Sequence, residues 1–122
     1  MLKPEQRDQI SIVNYIHWKY PGTVTIMSPI VKYGGNQAQR ARQGVLTKKM
    51  GYVPGTPDLF LPEPRGGKCG LFLELKADKG RVQPEQTQMI AHLNAKGYAA
   101  FICYGYADAV RVLDKYMSLF SL

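Results

Sequence analysis

The amino-acid sequence predicts one α/β domain, covering residues 1–122, in which helices flank a mixed β-sheet. The chain has 122 residues, a length that suits a single hydrophobic core. Hydrophobic residues make up 45% of it, as in ordinary globular proteins. Segments with apolar residues at helical spacing alternate with short apolar or β-branched runs, in the order α-β-(α)-β-β-α-β-α. This alternation is typical of the α/β class.

The first predicted element is a helix over residues 4–20. Pro4 suits the first helical turn, and Glu5 favours the positive end of the helix dipole. Apolar residues recur at helical spacing at Ile10, Val13, Ile16 and Tyr20. The pair Pro21-Gly22 then ends the helix.

The next stretch combines a short strand, a loop and a weaker helix. "TVTIM", residues 23–27, is β-branched and predicts a strand. "SPIVKYGGNQ", 28–37, indicates a loop, and "QAQRARQGVLTKKMG", 37–51, indicates a helix in part. Gly44 weakens that helix, because glycine is unfavourable inside helices. "VPGTP", 53–57, is a stiff loop.

Two strands follow, at about 58–62 and 70–77, and "PEPRGGK" between them predicts a surface hairpin turn. Side chains alternate between the two faces of a strand. Leu71, Leu73 and Leu75 therefore share one face, and Phe72, Glu74 and Lys76 share the other. If the two strands pair as a hairpin, Asp58 lies across from Glu74 or Lys76.

The C-terminal part adds two helices around a strand. The helix over 84–96 begins with Pro84 and is followed by Gly97, the residue types typical of those two positions. "YAAFICYG", 98–105, predicts a strand, and 107–119 predicts the last helix. The inward apolar stripes of these helices are Met89, Ile90 and Leu93 in the first, and Val110, Leu113 and Met117 in the second.

The charge balance favours a nucleic-acid partner. The formal net charge is +7, which is a strong bias toward a polyanion in so small a chain. We expect no membrane partner, because no apolar run approaches the length of a membrane span and no strongly basic helix has a bulky apolar face. The N-terminus lacks the layout of a signal peptide, which favours a cytosolic protein. Cys69 and Cys103 stand alone, so we expect two reduced, buried thiols and no zinc site.

Asp58 and Glu74 together predict a metal site. Two carboxylates brought close repel each other, and a divalent cation resolves that conflict. Aspartate, glutamate, a backbone carbonyl and water are the oxygen ligands that suit Mg²⁺. Lys76 beside them could orient a water or stabilise negative charge on a phosphate, so the set suffices in kind for phosphodiester hydrolysis. The alternative is an ordinary ion pair between Glu74 and Lys76 on a solvated strand face.

Polar residues also stand at the ends of two core-facing helix stripes. Gln86 lies on the apolar face of the helix over 84–96, and Glu5 and Gln9 continue the stripe of the first helix toward its N-terminus. Both helices could thus aim polar groups at the two carboxylates. The alternative is that these side chains are helix caps or edge residues.

These motifs carry a family resemblance. "GTPDLFLPEPRGGKCGLFLELKADKGRVQPEQ", residues 55–86, closely resembles the core of the VRR-NUC (virus-type replication-repair nuclease) family, a branch of the PD-(D/E)xK nuclease superfamily. The Gly-x-Pro-Asp, the Glu-x-Lys, the glycine after it and the later glutamine match in order. The first helix and the closing "GYAAFICYGYADAVRVL" also match, so the resemblance covers nearly the whole chain and is least clear over 29–50.

The resemblance implies a restriction-endonuclease-like fold and a metal-dependent DNA endonuclease. The implied ligands of Mg²⁺ or Mn²⁺ are Asp58, Glu74 and the Leu75 carbonyl. Lys76 would be the catalytic lysine, and Gln86 would be a supporting active-site residue. Glu5 would complete the metal site, either directly or through water.

The resemblance also implies a substrate, an assembly and a location. This chain resembles the short stand-alone members of the family. That resemblance implies a homodimeric, structure-specific endonuclease that cleaves branched DNA such as four-way (Holliday) junctions. Such members occur in phages and bacteria, which implies the cytoplasm of a bacterial or phage-infected cell. Two alternatives stay open: a non-catalytic nucleic-acid-binding module on a nuclease-like fold, and a nuclease subunit that acts only within a larger replication or restriction assembly.

Basic residues are candidates for contacts with DNA phosphates. The first group, just before the predicted active-site loop, is Arg40, Arg42, Lys48 and Lys49. The second group flanks the catalytic strands and comprises Lys32, Lys68, Lys79 and Arg81. Such contacts would supply affinity with little sequence information. The alternative for the first group is a solvated charged helix.

Overall fold

A computed structural model describes residues 1–28 and 33–121 as helices packed on one mixed β-sheet. The elements are α1 (Pro4–Lys19), β1 (Ile26–Met27), α2 (Gln37–Lys49), β2 (Leu59–Leu61), β3 (Leu71–Lys76), α3 (Pro84–Ala95), β4 (Ala99–Tyr104) and α4 (Gly105–Met117). The strand order is β1-β2-β3-β4, with β3 and β4 parallel and the other pairs antiparallel. The predicted α/β class and mixed sheet are confirmed. No helix in the described part of the chain is long and apolar enough to cross a membrane.

Strands β2 and β3 form the predicted hairpin. Leu59 pairs with Leu73 and Leu61 with Leu71. Continued by one residue, this register places Asp58 opposite Glu74. This is one of the two partners that the sequence predicted for Asp58. The hairpin therefore brings both carboxylates to the end of the sheet where β3 and β4 finish.

The core lies between the leucine face of the sheet and helices α1 and α4. Its fully buried large side chains are Ile12, Ile16, Leu59, Leu61, Leu71, Leu73, Cys103 and Leu113. The alternation expected for β3 is confirmed, because its odd-numbered leucines all join this core. The expectation for α1 was partly wrong: Ile12 is buried and Ile10 is exposed. Residues 12 and 16 are one turn apart and face the leucines together, whereas residue 10 points away from them.

Helices α1 and α4 are also joined by hydrogen bonds at their far ends. The hydroxyl of Tyr15 donates to Asp114 Oδ2 at 2.7 Å, and the hydroxyl of Tyr20 donates to Asp114 Oδ1 at 2.6 Å. The predicted inward residues Leu113 and Met117 of α4 are buried. These contacts hold α1 in place, so that its N-terminus lies at the carboxylate end of the sheet.

Several predicted features need correction. The strand expected over 23–27 shrinks to Ile26–Met27. Helix α2 is continuous through Gly44, where the sequence predicted a helix only in part. The Asn36 side chain caps its N-terminus by accepting from the Gln39 N–H at 2.9 Å. Cys69 is exposed because it lies before β3 on the hairpin connection, so the expectation of two buried thiols holds only for Cys103. Part of the predicted loop, and Lys32 with it, lies outside the described residues.

Side chains occupy the outer edge of β4, the last strand of the sheet. The amide of Asn94 in α3 donates to the Ala100 carbonyl at 3.0 Å and accepts from the Ala100 N–H at 3.1 Å. The Tyr104 N–H donates to Asp108 at 2.9 Å. These bonds use main-chain groups that a neighbouring strand would otherwise pair with, so this edge is protected against pairing with another chain.

Candidate active site

The candidate site lies at the C-terminal end of β3, where two charged side chains are buried together. Glu74 is 4% exposed and Lys76 is 8% exposed. Lys76 Nζ lies 3.8 Å from Glu74 Oε2. Glutamate and lysine are rarely buried unless they are paired or bind a ligand. The pair is therefore not the solvated surface ion pair that the sequence left open.

Asp58 is fixed beside this pair by hydrogen bonds to the strand on one side of it and to the residue that follows the strand on its other side. Its Oδ2 accepts from the Leu75 N–H at 2.7 Å. Its own carbonyl accepts from the Ser28 N–H at 2.9 Å. Pro57 before it is buried and has a fixed φ angle. The carboxylate is thus held with one oxygen bonded to the neighbouring strand.

The electrostatics of Glu74 are strongly perturbed. Burial is the largest cause that raises the pKa of its carboxyl, from 4.5 to about 8, and the nearby Asp58 carboxylate raises it further. The Lys76 ammonium opposes this rise, and Glu5 adds to it. A carboxyl that resists ionisation beside another carboxylate needs an added positive charge to ionise at neutral pH.

Gln86 and Glu5 both reach the strand end, as their helix positions predicted. Gln86 Nε2 donates to Glu74 Oε2 at 3.4 Å, while its Oε1 accepts from the Gln83 N–H at 2.9 Å. This side chain is therefore a helix cap and a partner of Glu74 at once. Glu5 Oε1 accepts from the Ala77 N–H at 3.3 Å, immediately after Lys76. Gln9, the other polar residue of that stripe, is half-buried on α1.

The donor set fits an oxygen-ligated divalent ion that keeps several waters. In the ranges 1–28 and 33–121 no three residues among His, Cys, Asp and Glu converge closely enough to hold a metal. Asp58 and Glu74 do converge, and Mg²⁺ is commonly bound by one or two carboxylates plus water. Zinc sites in proteins are usually built with Cys or His ligands, whereas the residues described at this site offer oxygen atoms.

A cleft opens beside Asp58 that no sequence pattern indicated. It encloses about 550 Å³ between α1, β1 and the carboxylate. Its apolar lining residues are Leu2, Ile10, Val13 and Met27. The cleft therefore ends at Asp58.

Tyr104 lies next to Lys76 in the sheet, and no pattern in the sequence indicated that it would be near the site. It is the last residue of β4, and it pairs with Lys76 in the parallel register. Paired residues of neighbouring strands share a face. Its ring is half-exposed, while its main chain is fixed by Asp108. Knowledge that β3 and β4 run parallel would have been needed to find it.

The basic residues fall into two settings. Lys79 and Arg81 are exposed on the connection that leaves β3, so they lie near the site. The tight turn there is closed by the Gly80 N–H donating to the Ala77 carbonyl at 2.7 Å. The four cations of α2, Arg40, Arg42, Lys48 and Lys49, are also exposed, but α2 packs on no other helix or strand in the described chain. Lys68 is exposed on the hairpin connection, at the opposite end of β3 from Glu74.

Comparisons with known proteins agree with this architecture. A family model described as the VRR-NUC domain matches residues 2–107. A solved structure described as a VRR_NUC domain protein is similar at 25% sequence identity, with a TM-score of 0.81 over 99% of this chain and 93% of that chain. No curated protein matches the chain.

The mixed sheet with its flanking helices matches the fold of that VRR_NUC domain protein and places the chain in the α/β class. The family model covers most of the sequence. The chain belongs to the VRR-NUC family. A nuclease-type function, and with it an association with DNA, follows from that membership.

Proposed function

We propose that this chain is a divalent-metal-dependent endonuclease that hydrolyses phosphodiester bonds in branched DNA, with Mg²⁺ or Mn²⁺ as cofactor. One observation supports it most directly: Asp58, Glu74 and Lys76 converge at the buried end of one hairpin. Two carboxylates and one ammonium in such a place create an unbalanced charge. Glu5 adds to the negative charge near Glu74, so these residues together would hold a divalent cation.

Each residue has a separate role in this proposal. Asp58, Glu74 and the Leu75 carbonyl would hold the ion, and Glu5 would complete the site either directly or through a water. The ion, when bound, lowers the pKa of a water and polarises a phosphoryl oxygen. Lys76 orients the attacking water and stabilises the added negative charge on the phosphate. Gln86 positions the Glu74 carboxylate through its amide.

Substrate affinity comes from phosphate contacts. The contributing side chains are Arg40, Arg42, Lys48, Lys49, Lys79 and Arg81. We propose that a homodimer presents two such sites to two strands of a four-way junction, because a two-fold axis suits paired cleavage. The protected edge of β4 means that the dimer does not form by joining two sheets at that edge.

The proposal is tested with labelled linear, flap, splayed-arm and four-way-junction DNA, incubated with Mg²⁺, Mn²⁺ or EDTA. We expect metal-dependent cleavage, strongest on the junction, and a dimer by light scattering at the assay concentration. Binding of all these DNAs without cleavage in either metal would favour the non-catalytic module. Cleavage that persists in EDTA would refute the metal site.

A further inference from the structure

Helix α2 leaves a large apolar surface in water. None of its residues is buried. Val45 is 56% exposed and Leu46 is 58% exposed, and Met50 just past the helix is 79% exposed. In the described ranges α2 packs on no other helix or strand. An isolated helix of 13 residues is only marginally stable in water, so its exposed face is better suited to being covered.

The exposed apolar residues form one face with two of the four cations. Arg42 and Lys49 are seven residues apart, so they lie on one side of the helix, with Val45 and Leu46 between them. These four and Ala41 line a shallow depression of about 350 Å³, which we call the α2 face. Arg40 and Lys48 lie off this face.

The composition of the α2 face specifies its occupant. An apolar floor cannot be satisfied by phosphates, because burying it requires another apolar surface. A cation at each end of the floor requires acidic groups, and α2 itself has no acidic residue. We propose that the α2 face binds an acidic amphipathic segment of a partner protein. An apolar side chain would lie over Val45 and Leu46, and carboxylates would pair with Arg42 and Lys49.

Two other occupants fit the face less well. The α2 helix of a second copy would bring its own four cations, with no acid to neutralise them. Insertion of the α2 face into a membrane surface would carry Arg42 and Lys49 into the membrane together with Val45 and Leu46, because all four lie on the same side of the helix. Interfacial helices keep their cations on the opposite side. The proposed interaction goes beyond cleavage, since it recruits the enzyme to another protein and uses no residue of the candidate active site. It shares Arg42 and Lys49 with the proposed DNA surface, so the acidic segment and DNA would compete for these two side chains.

The test uses the whole chain and a fluorescein-labelled helical peptide, with leucines along one face and glutamates beside them. The variant Val45→Ala/Leu46→Ala removes the apolar floor, keeps every charge and does not lower the helix propensity. We expect it to weaken the peptide at least tenfold in fluorescence anisotropy, about 1.4 kcal/mol, and to leave DNA binding and melting temperature unchanged. The matched variant Arg40→Glu/Lys48→Glu should weaken DNA more than the peptide.

Three results would overturn the proposal. If the peptide does not bind, or binds equally well with its leucines replaced by serine, the face does not recognise an apolar anchor. If sedimentation shows that Val45→Ala/Leu46→Ala converts a dimer to a monomer, a second copy covers the face. If the variant loses binding to vesicles of anionic phospholipid but not to the peptide, the partner is a membrane. Loss of cleavage in Asp58→Asn with peptide binding intact would separate this interaction from the proposed activity.

Discussion

The end of the β2–β3 hairpin and helix α2 both concentrate charged side chains, but the hairpin buries them and the helix leaves them in water. Glu74 and Lys76 are almost fully buried and interact with each other. Arg42 and Lys49 lie in solvent on a helix that packs on no other element in the described chain. Burial couples charges and shifts their pKa values, whereas exposed charges act separately and are screened by salt. We therefore expect a single substitution at the end of the hairpin to abolish cleavage, and substitutions on α2 to weaken DNA binding by smaller steps.

The largest effect should come from the charged residues at the end of the hairpin. Glu74→Gln, Asp58→Asn and Lys76→Ala should each reduce cleavage by roughly a thousandfold or more, because each removes a metal ligand or the stabilising ammonium. Lys76→Arg should also fail, since a planar guanidinium does not replace a compact ammonium. Single-turnover cleavage of a labelled junction measures the loss.

Metal binding separates these variants from one another. Mn²⁺ should raise the melting temperature of the parent and of Lys76→Ala, because a ligand bound only to the native state stabilises it. It should raise that of Asp58→Asn and Glu74→Gln much less. Equal shifts in all four proteins would show that the carboxylates do not hold the ion.

The pH dependence of stability should expose the buried carboxyl directly. Burial and Asp58 raise the pKa of Glu74 in the folded protein to about 8, above its ordinary value of 4.5. The folded state therefore holds the proton more tightly. Its stabilising contribution is complete below pH 4.5 and is lost as pH rises through 8. Between these values, Glu74 alone should lower the free energy of unfolding by at most about 1.4 kcal/mol per pH unit.

Urea unfolding in EDTA at pH 5, 6.5 and 8 measures this slope. Glu74→Gln cannot ionise, so its curve should be flatter than that of the parent, and its relative stability should improve toward pH 8. Added Mg²⁺ should reduce the slope of the parent, because the ion favours the ionised carboxylate. Parallel curves for parent and variant in EDTA would mean that Glu74 ionises normally.

Charge reversal on α2 should give a smaller and more uniform effect. Arg40→Glu/Lys48→Glu should weaken the binding of linear, flap and junction DNA together, because phosphate contacts do not read structure or sequence. The slope of log affinity against log salt should fall by about 2, if each cation neutralises one phosphate. A preference for the junction should persist in the residual cleavage. An unchanged salt slope would place the DNA surface away from α2.

The same two regions show what the sequence could predict. The hairpin end was predictable because strand alternation and the turn "PEPRGGK" fix which residues face each other. The pairing of Asp58 with Glu74 followed from those local rules alone. The burial of Glu74 and Lys76 was not predictable, since it depends on α3 and on the loop before β2 covering that face. Tyr104 was missed for the same reason, because the parallel register of β4 is a long-range property.

Helix α2 shows the opposite case. The sequence predicted a helix only in part of this segment, because Gly44 lowers helix propensity, and the Asn36 cap favours the helix that is observed. The sequence analysis identified the cations of α2 but not the apolar surface that lies between them. Amphipathic spacing normally indicates a face buried in the same chain. Only the structure shows that Val45 and Leu46 have no such covering.

The smallest effect concerns Gly44, and it tests whether α2 folds separately from the core. A Cβ added at Gly44 would meet only the Tyr33 ring, at 3.8 Å, which is an ordinary contact. Gly44→Ala should therefore stabilise α2 by about 0.5–1 kcal/mol, since alanine is the better helix former. Because α2 packs on no other element in the described chain, we expect slower hydrogen exchange in α2 and almost no change in global melting temperature.

Gly55→Ala, in the loop that leads into the β2–β3 hairpin, is the matched control for Gly44→Ala. Gly55 has φ +89°, and an added Cβ would lie 2.4 Å from the Glu85 carbonyl oxygen, so the loop before Asp58 would have to move away from α3. This variant should lower the global melting temperature and cleavage together, because it disturbs the elements that bury Glu74. If Gly44→Ala instead raised the melting temperature by several degrees, α2 would be folding with the core. Its apolar face would then be covered within the chain, and the contrast between the two regions would fail.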